Sequence, residues 1–83
     1  MRISIVGSGY VGLVSGAGLS DVGHHLVCMD IDEARVEGLR NGIVPIYEPG
    51  LSQMLKRNSS QGRLEFTTSI EKAVKHAEVL FIA

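Results

Sequence analysis

The chain has 83 residues, of which 45% are hydrophobic and 20% charged, a balance typical of a folded domain rather than a disordered segment. Eight Lys and Arg residues against nine Asp and Glu residues give a net charge of −1, so we expect no nucleic-acid partner. Cys28 is the only cysteine, so an internal disulfide is impossible. The longest apolar run, residues 79–83, is far shorter than the roughly 20 residues of a membrane-spanning helix. We therefore expect a cytoplasmic protein without a membrane partner.

The first 30 residues predict a strand, a helix and a second strand. Ile3, Ile5 and Val6 lie in a short β-branched run that stops at Gly7, as in a buried strand. From residue 11 to about residue 22, apolar and glycine positions recur every three or four residues, which predicts a helix. Gly16 and Gly18 should pack closely on the sheet, because a helical glycine costs about 1 kcal/mol relative to alanine. Residues 25–30 predict a second strand whose centre is apolar on both faces, which is typical of a parallel strand covered by helices.

The middle of the chain predicts two further helices. Asp32 is placed to cap a helix that ends at Asn41 and Gly42. Pro49 is expected in the first turn of the next helix, because its fixed φ suits that position. Polar residues 58–62 should close this helix.

The last 20 residues predict strand, helix, strand. Residues 64–68 alternate between apolar and polar, which indicates a short strand near the sheet edge. Thr68 and Glu71 have the spacing of a capping box at the start of a helix. Residues 79–83 are apolar throughout and predict a fourth, buried strand.

A glycine motif lies between the first predicted strand and the first helix. Residues 7–12 read Gly-Ser-Gly-Tyr-Val-Gly, the pattern G-x-G-x-x-G. Gly7 permits the tight turn, Gly9 lets a pyrophosphate approach the backbone, and Gly12 lets the helix pack closely on the strand. The N–H groups of the first helical turn then bind the phosphate charge. The motif alone is weak evidence, but here a strand precedes it, a helix follows it, and Asp30 ends the next strand.

Asp30 is the predicted ribose-binding residue. It follows Gly12 by 18 residues (positions 12 and 30), and its carboxylate can accept both ribose hydroxyls of an adenosine. A charged hydrogen bond of this kind contributes about 1.5–3 kcal/mol. The same charge would repel a 2′-phosphate, so the predicted cofactor is NAD rather than NADP. For Arg35 the spacing leaves three readings open: contact with the adenosine, admission of a 2′-phosphate, or a solvated helix residue.

Strands alternating with helices, together with this motif, predict an α/β fold. We expect a Rossmann-type parallel sheet with helices on both faces and four strands in the order 3-2-1-4. Because the sequence ends inside an apolar strand, residues 1–83 are expected to be the N-terminal half of a dinucleotide-binding domain, truncated at the end of strand four.

No catalytic or metal site is predicted in this chain. Cys28 lies inside a strand that is apolar on both faces, which favours a packed thiol over a nucleophile. His24 and His25 are adjacent in a turn, which is not a spacing of metal ligands. No nucleophile and base are paired by the sequence, so catalytic residues are expected outside these 83 residues.

Motifs distributed along the chain are shared with one known family. They are residues 3–12, the Asp30-Ile31-Asp32 turn with Arg35, Asn41-Gly42 leading into Pro-Ile-Tyr-Glu-Pro-Gly-Leu at residues 45–51, residues 62–64 and 66–68, and residues 77–83. Through these segments essentially the whole chain resembles the UDP-glucose/GDP-mannose dehydrogenase family. The segment at residues 45–51 is much more specific than the glycine motif.

The resemblance implies an enzyme of nucleotide-sugar metabolism and polysaccharide biosynthesis. It would oxidise the C6 alcohol of a nucleotide sugar to a carboxylate while two NAD+ are reduced, with UDP-glucose, giving UDP-glucuronate, as the expected substrate and GDP-mannose as the alternative. Tyr10 and Val11 match the family's pyrophosphate-covering positions, and Asp30 and Arg35 its adenosine-ribose positions. The family's catalytic cysteine, which Cys28 does not match, and a Thr-Pro segment that meets the cofactor would lie downstream. A homo-oligomer formed through other segments is also expected.

Two other classes of protein remain open. One is a different Rossmann dehydrogenase, acting on 3-hydroxyacyl or 6-phosphogluconate substrates, against which the segment at residues 45–51 argues. The other is a nucleotide-sensing regulatory domain of the type attached to potassium transporters, which shares the glycine turn and the strand-end Asp but catalyses nothing. NADH production from a sugar nucleotide distinguishes these classes.

Overall fold

The computed structural model describes residues 1–45 and 47–83, so Ile46, within the predicted family motif, lies outside the described residues. Within the described residues the predicted order of strands and helices is confirmed. The elements are β1 (Arg2–Val6), α1 (Tyr10–Asp21), β2 (His25–Met29), α2 (Glu33–Arg40), α3 (Leu51–Ser60), β3 (Leu64–Thr67), α4 (Ile70–His76) and β4 (Val79–Ile82).

The strands of the described residues form one parallel sheet in the order β3-β2-β1-β4, which confirms the predicted order. The register of β1 on β2 places Val6 opposite Met29. The backbone N–H of Gly7 donates to the carbonyl oxygen of Met29 at 2.7 Å and continues the pairing one residue past β1. Because both strands run in the same direction, the residues that follow them, including Asp30, meet at one edge of the sheet.

Helices cover both faces of the sheet, as the sequence predicts. The larger core lies on the face covered by α1, α2 and α3, and its fully buried side chains include Ile5, Leu13, Leu26 and Val36. On the opposite face, α4 packs Ala73 against Val27 and Met29 of β2. Consecutive residues of β2 thus pack in different cores, because successive side chains of a strand point to opposite faces of the sheet.

The two glycines inside α1 differ in their surroundings. A Cβ added at Gly16 would lie 2.9 Å from the sulfur of Cys28, so the predicted close packing on the sheet is confirmed there. A Cβ added at Gly18 would meet nothing within 4 Å, so the same prediction is wrong for Gly18. Two positions along a helix are about 200° apart around its axis, so they cannot both face the sheet.

The start of α4 differs from the predicted capping box by one residue. Ser69, and not Thr68, is the N-cap: its hydroxyl oxygen accepts from the backbone N–H of Lys72 at 3.1 Å. The hydroxyl oxygen of Thr67 in turn accepts from the backbone N–H of Ser69 at 3.1 Å. Consecutive hydroxyl residues all suit a cap, and the end of β3 decides which of them takes the position.

The other helix starts are close to the predictions. The Asp32 cap of α2 is confirmed, because its carboxylate accepts from the backbone N–H of Arg35 at 3.0 Å. α3 begins at Leu51 with Gly50 as N-cap in the left-handed region (φ 80°), so Pro49 lies just before the helix and not in its first turn.

β4 is present as predicted, but it is not buried. Leu80, Phe81 and Ile82 are 41%, 50% and 81% exposed. Among the described residues β4 pairs with β1 alone, and it stands at the edge of the sheet. An apolar sequence favours a strand, but burial also requires elements that cover it on the outer side.

Candidate cofactor site

The loop between β1 and α1 turns at Gly7, where φ is 109°. That value lies in a region that residues with a side chain rarely adopt, and a Cβ added there would also lie 2.7 Å from the carbonyl oxygen of Ala83. Gly12 packs against the same turn, since its added Cβ would lie 1.9 Å from the carbonyl oxygen of Gly7. The chain's own geometry therefore requires both of these glycines.

Gly9 is different from its two neighbours in the motif. Its backbone is extended, with φ −74° and ψ −165°, which any residue adopts. A Cβ added at Gly9 would meet nothing within 4 Å. Neither backbone strain nor packing within the described residues calls for a glycine here. The space in front of Gly9 is open, so a group from outside the chain can approach the backbone.

The N-terminus of α1 faces the same open space. Gly9 is its N-cap and supplies no side-chain acceptor, and the first turn holds no acidic residue. Within residues 1–45 and 47–83, the backbone N–H groups of Gly9, Tyr10 and Val11 have no acceptor. Tyr10 and Val11 are 53% and 64% exposed. Unpaired N–H groups at the positive end of a helix dipole are a natural site for an anion such as a phosphate group.

Asp30 follows β2 and turns toward the glycine loop. Its Oδ2 accepts from the backbone N–H of Ser8 at 3.0 Å and from the Ser8 hydroxyl at 2.9 Å. Its Oδ1 accepts from the backbone N–H of Asp32 at 2.9 Å. The carboxylate therefore joins the end of β2 to the loop after β1, and its position beside residues 7–12 agrees with the sequence prediction.

The surroundings of Asp30 keep it ionised. The backbone N–H groups of Asp32 and Ser8 hold the pKa of the Asp30 carboxyl below its ordinary value, and the Ser8 hydroxyl and the positive charge of Arg35 add to this effect. Arg35 Nη1 lies 3.6 Å from Asp30 Oδ2, and the Arg35 side chain is 40% exposed. The guanidinium of Arg35 thus lies beside the carboxylate and still reaches solvent.

Ser8 is the residue of this site that the sequence did not indicate. It occupies a variable position of G-x-G-x-x-G, and it is 1% exposed. A serine in that position is compatible with many roles, and only the fold brings it next to Asp30, 22 residues later. A hydroxyl residue directly after the first glycine of the motif is the signal that was available.

Cys28 and the side chains considered as metal ligands lie outside this loop. Burial raises the pKa of the Cys28 thiol to about 12, and Cys28 is 1% exposed, which confirms the prediction of a packed thiol. Over residues 1–45 and 47–83, His, Cys, Asp and Glu form no group of three that could hold a metal ion. Among the described helices, none has the length and apolar character needed to cross a membrane.

The fold and this site together define a dinucleotide-binding domain of the Rossmann type. A parallel sheet carries at its first βα turn an open glycine, unpaired helix N–H groups and a strand-end carboxylate, and these groups suit a pyrophosphate and a ribose. The chain belongs to the UDP-glucose/GDP-mannose dehydrogenase family, since all of residues 1–83 match the model of that family's NAD binding domain. The prediction of NAD as the cofactor is thereby confirmed.

Relatives with this domain are nucleotide-sugar dehydrogenases. The UDP-glucose 6-dehydrogenase YwqF of Bacillus subtilis is 49% identical over 83 residues, which are 100% of this chain and 19% of that protein. The UDP-glucose 6-dehydrogenase of Rhizobium meliloti is 47% identical over 83 residues, again 100% of this chain and 19% of that protein. The chain therefore spans about a fifth of the length of these curated relatives.

Two solved structures share the fold over the whole chain. A ternary complex of GDP-mannose dehydrogenase from Pseudomonas aeruginosa has a TM-score of 0.95 and 42% identity, covering 100% of this chain and 19% of that one. A UDP-glucose dehydrogenase from Pyrobaculum islandicum has a TM-score of 0.92 and 45% identity, with the same coverage of 100% and 19%.

Proposed function

We propose that residues 7–12 bind the pyrophosphate of NAD and that Asp30 and Arg35 bind its adenosine ribose. The observation that carries this proposal is the open, unstrained backbone at Gly9, where the chain itself has no use for a glycine. A phosphate seated there accepts from the N–H groups of Tyr10 and Val11. Gly7 and Gly12 are required by the same turn, because a side chain at either position would collide with backbone atoms.

The ribose end of the site favours NAD over NADP. Asp30 is ionised and points to the loop, so it accepts a ribose hydroxyl and repels a 2′-phosphate. Arg35 is the natural partner of a 2′-phosphate, but its guanidinium is already paired with Asp30. The pair therefore keeps the preference for NAD as long as the carboxylate is present.

For the whole protein we propose oxidation of UDP-glucose to UDP-glucuronate. The alcohol, water and two NAD+ give the carboxylate, two NADH and three protons. Relatives named UDP-glucose 6-dehydrogenases, 49% and 47% identical to this chain, support this substrate. The substrate-binding and catalytic groups are expected in segments downstream of these 83 residues, so this chain contributes cofactor binding.

GDP-mannose is the second candidate substrate. One solved structure that shares this fold, with a TM-score of 0.95, is a GDP-mannose dehydrogenase. Because the domain described here binds the cofactor, its structure bears on NAD and not on the sugar nucleotide.

Turnover by the full-length protein tests the proposed activity. The purified protein is incubated with NAD+ and either UDP-glucose or GDP-mannose, and NADH is followed by its absorbance. We expect turnover with UDP-glucose and two NADH per sugar nucleotide consumed. Turnover with GDP-mannose but not with UDP-glucose would make GDP-mannose the proposed substrate. Tight NADH binding without turnover of either sugar nucleotide would favour a sensor domain.

An Asp30→Ala variant tests the ribose assignment. We expect weaker NAD binding, by about tenfold or more for one charged hydrogen bond, and a smaller preference for NAD over NADP. Asp21→Ala is the matched control, because Asp21 is also an ion-paired carboxylate, held by Arg57 and Asn58 away from the loop. The control should leave the ratio of the two affinities unchanged. A wild-type protein that prefers NADP would refute the assignment of Asp30.

A cytoplasmic location and a homo-oligomeric assembly complete the proposal. Cys28 is a free, buried thiol, which is compatible with a reducing compartment. Gel filtration of the full-length protein, and fractionation of cells that express it, test these two statements.

A further inference from the structure

Ser8 makes two hydrogen bonds to the same oxygen of Asp30. Its backbone N–H and its hydroxyl both donate to Oδ2, at 3.0 and 2.9 Å. The Ser8 side chain is buried, at 1% exposure, so solvent does not compete for its hydroxyl. Replacing the side chain would remove the hydroxyl contact and keep the backbone contact, so the two contributions can be separated by mutation.

We propose that Ser8 is a positioning residue for the choice of NAD over NADP. Its hydroxyl holds Oδ2 of Asp30 against the glycine loop, so that Oδ1 faces the adenosine ribose of NAD. This inference rests on the proposed binding of NAD at the loop. Ser8 itself touches Asp30 and acts through it.

The acceptor count of the carboxylate supports this role. A carboxylate has about four acceptor positions, two on each oxygen. Ser8 uses two on Oδ2, and the backbone N–H of Asp32 uses one on Oδ1. The position that remains is on Oδ1. One acceptor position, on Oδ1, is therefore left for a ribose hydroxyl, whereas the sequence predicted that Asp30 would accept both hydroxyls. The Asp32 N–H and the hold on Oδ2 together fix the direction of this acceptor.

A fixed position of the Asp30 carboxylate also affects the affinity for a 2′-phosphate. A carboxylate that is fixed beside the ribose repels the phosphate, whereas one that can rotate toward solvent avoids it. Without the hydroxyl, the backbone N–H groups of Ser8 and Asp32 each hold one oxygen of the carboxylate. The guanidinium of Arg35 adds little, since it is 3.6 Å away and 40% exposed, so the rotation is less restricted than with the hydroxyl present. Loss of the hydroxyl should thus weaken NAD binding more than NADP binding.

The test measures NAD and NADP affinities of the full-length protein by titration calorimetry. In Ser8→Ala we expect NAD to bind about threefold to tenfold more weakly, the affinity equivalent of one hydrogen bond, while NADP affinity falls less or rises. Ser8→Thr, which keeps the hydroxyl, should restore the wild-type ratio. Ser4→Ala is the control, because Ser4 is also fully buried and its hydroxyl donates to the carbonyl oxygen of Ala73 at 2.6 Å.

The ratio of the two affinities decides the result. The proposal is supported if the ratio of NAD affinity to NADP affinity falls at least threefold in Ser8→Ala but not in Ser8→Thr or Ser4→Ala. Equal loss of both affinities, or no change, overturns it, and so does a folded Ser8→Thr that behaves like Ser8→Ala. If Ser8→Ala does not fold, the nearly isosteric Ser8→Cys, a much weaker donor, is judged by the same criteria. Wild-type protein that binds no NAD, or prefers NADP, overturns the proposed function itself.

Discussion

Replacing Gly9 by alanine separates cofactor binding from folding. An alanine Cβ meets no atom within 4 Å, and the extended backbone at residue 9 accepts it without strain. Gly→Ala at a compatible position stabilises a protein by about 0.4–1 kcal/mol through the unfolded chain, whereas alanine is a clearly poorer N-cap than glycine, by roughly 1 kcal/mol. These effects oppose each other, so we expect the free energy of unfolding to change by less than about 1 kcal/mol.

The same methyl group should strongly weaken NAD binding. It would occupy part of the open space at Gly9 through which, in our proposal, the phosphate reaches the N–H groups of Tyr10 and Val11. Loss of even one hydrogen bond to a charged phosphate costs about 1.5–3 kcal/mol, which is roughly tenfold to 150-fold in affinity. Gly9→Val, with a larger side chain, should cost at least as much.

The assay pairs a cofactor titration with a thermal melt of the full-length protein. Gly18→Ala is the matched control, because Gly18 also has open space within 4 Å but lies in the middle of α1, away from the loop. It should raise the free energy of unfolding by about 0.5–1 kcal/mol and leave NAD affinity unchanged. Wild-type NAD affinity in Gly9→Ala would refute the placement of the pyrophosphate, and so would an affinity loss that merely follows a large drop in melting temperature.

Four further predictions concern other residues of the loop and its surroundings. Gly12→Ala should destabilise the protein by about 3 kcal/mol or more, measured by thermal unfolding, because its Cβ would lie 1.9 Å from backbone. The pKa of the Asp30 carboxyl is below its ordinary value of 3.8, so its contribution to NAD binding should be present above that value and lost only as pH falls through the lowered pKa. NAD affinity should therefore stay constant from about pH 8 to 5, and a fall of affinity within that range would contradict the assignment. In an Asp30→Ala protein, NADP binding should depend on the released Arg35, so adding Arg35→Ala should abolish the gain in NADP affinity. Cys28 should react with a thiol reagent only after unfolding, and a label found on Cys28 itself by peptide mapping of the native protein would contradict its burial.

Apolar patterns and glycines were sufficient to predict the order of strands and helices, because each element has its own period and its own stop signal. They were not sufficient to predict caps and burial, which depend on contacts with other elements of the fold. Thr68 and Ser69 are both good caps, and the hydrogen bond from the Ser69 N–H to Thr67 selected the second of them. β4 has the sequence of a buried strand, yet Ile82 is 81% exposed, because burial is a property of the surrounding elements.

The placement of the candidate site residues in the fold was predictable from the sequence, but their hydrogen bonds were not. The position of Asp30 at the end of β2 follows from the length of a predicted strand. That its Oδ2 meets Ser8 depends on side-chain directions across 22 residues of sequence, which no local pattern contains. Gly18 shows the reverse case: its wrong prediction was avoidable, since a separation of two residues from Gly16 already places it on another side of the helix.

The register between β1 and β2 connects the core to the cofactor site. Val6 lies opposite Met29, and the Gly7 N–H donates to the Met29 carbonyl oxygen, so Ser8 comes level with Asp30. A slip of one residue would turn every side chain of one strand to the opposite face. A slip of β1 would take Ile5, which is 1% exposed, out of the larger core, and it would move Ser8 out of level with Asp30. The buried side chains of β1 therefore hold the cofactor-binding geometry in place, because the arrangement that buries them is also the one that brings Asp30 to the glycine loop.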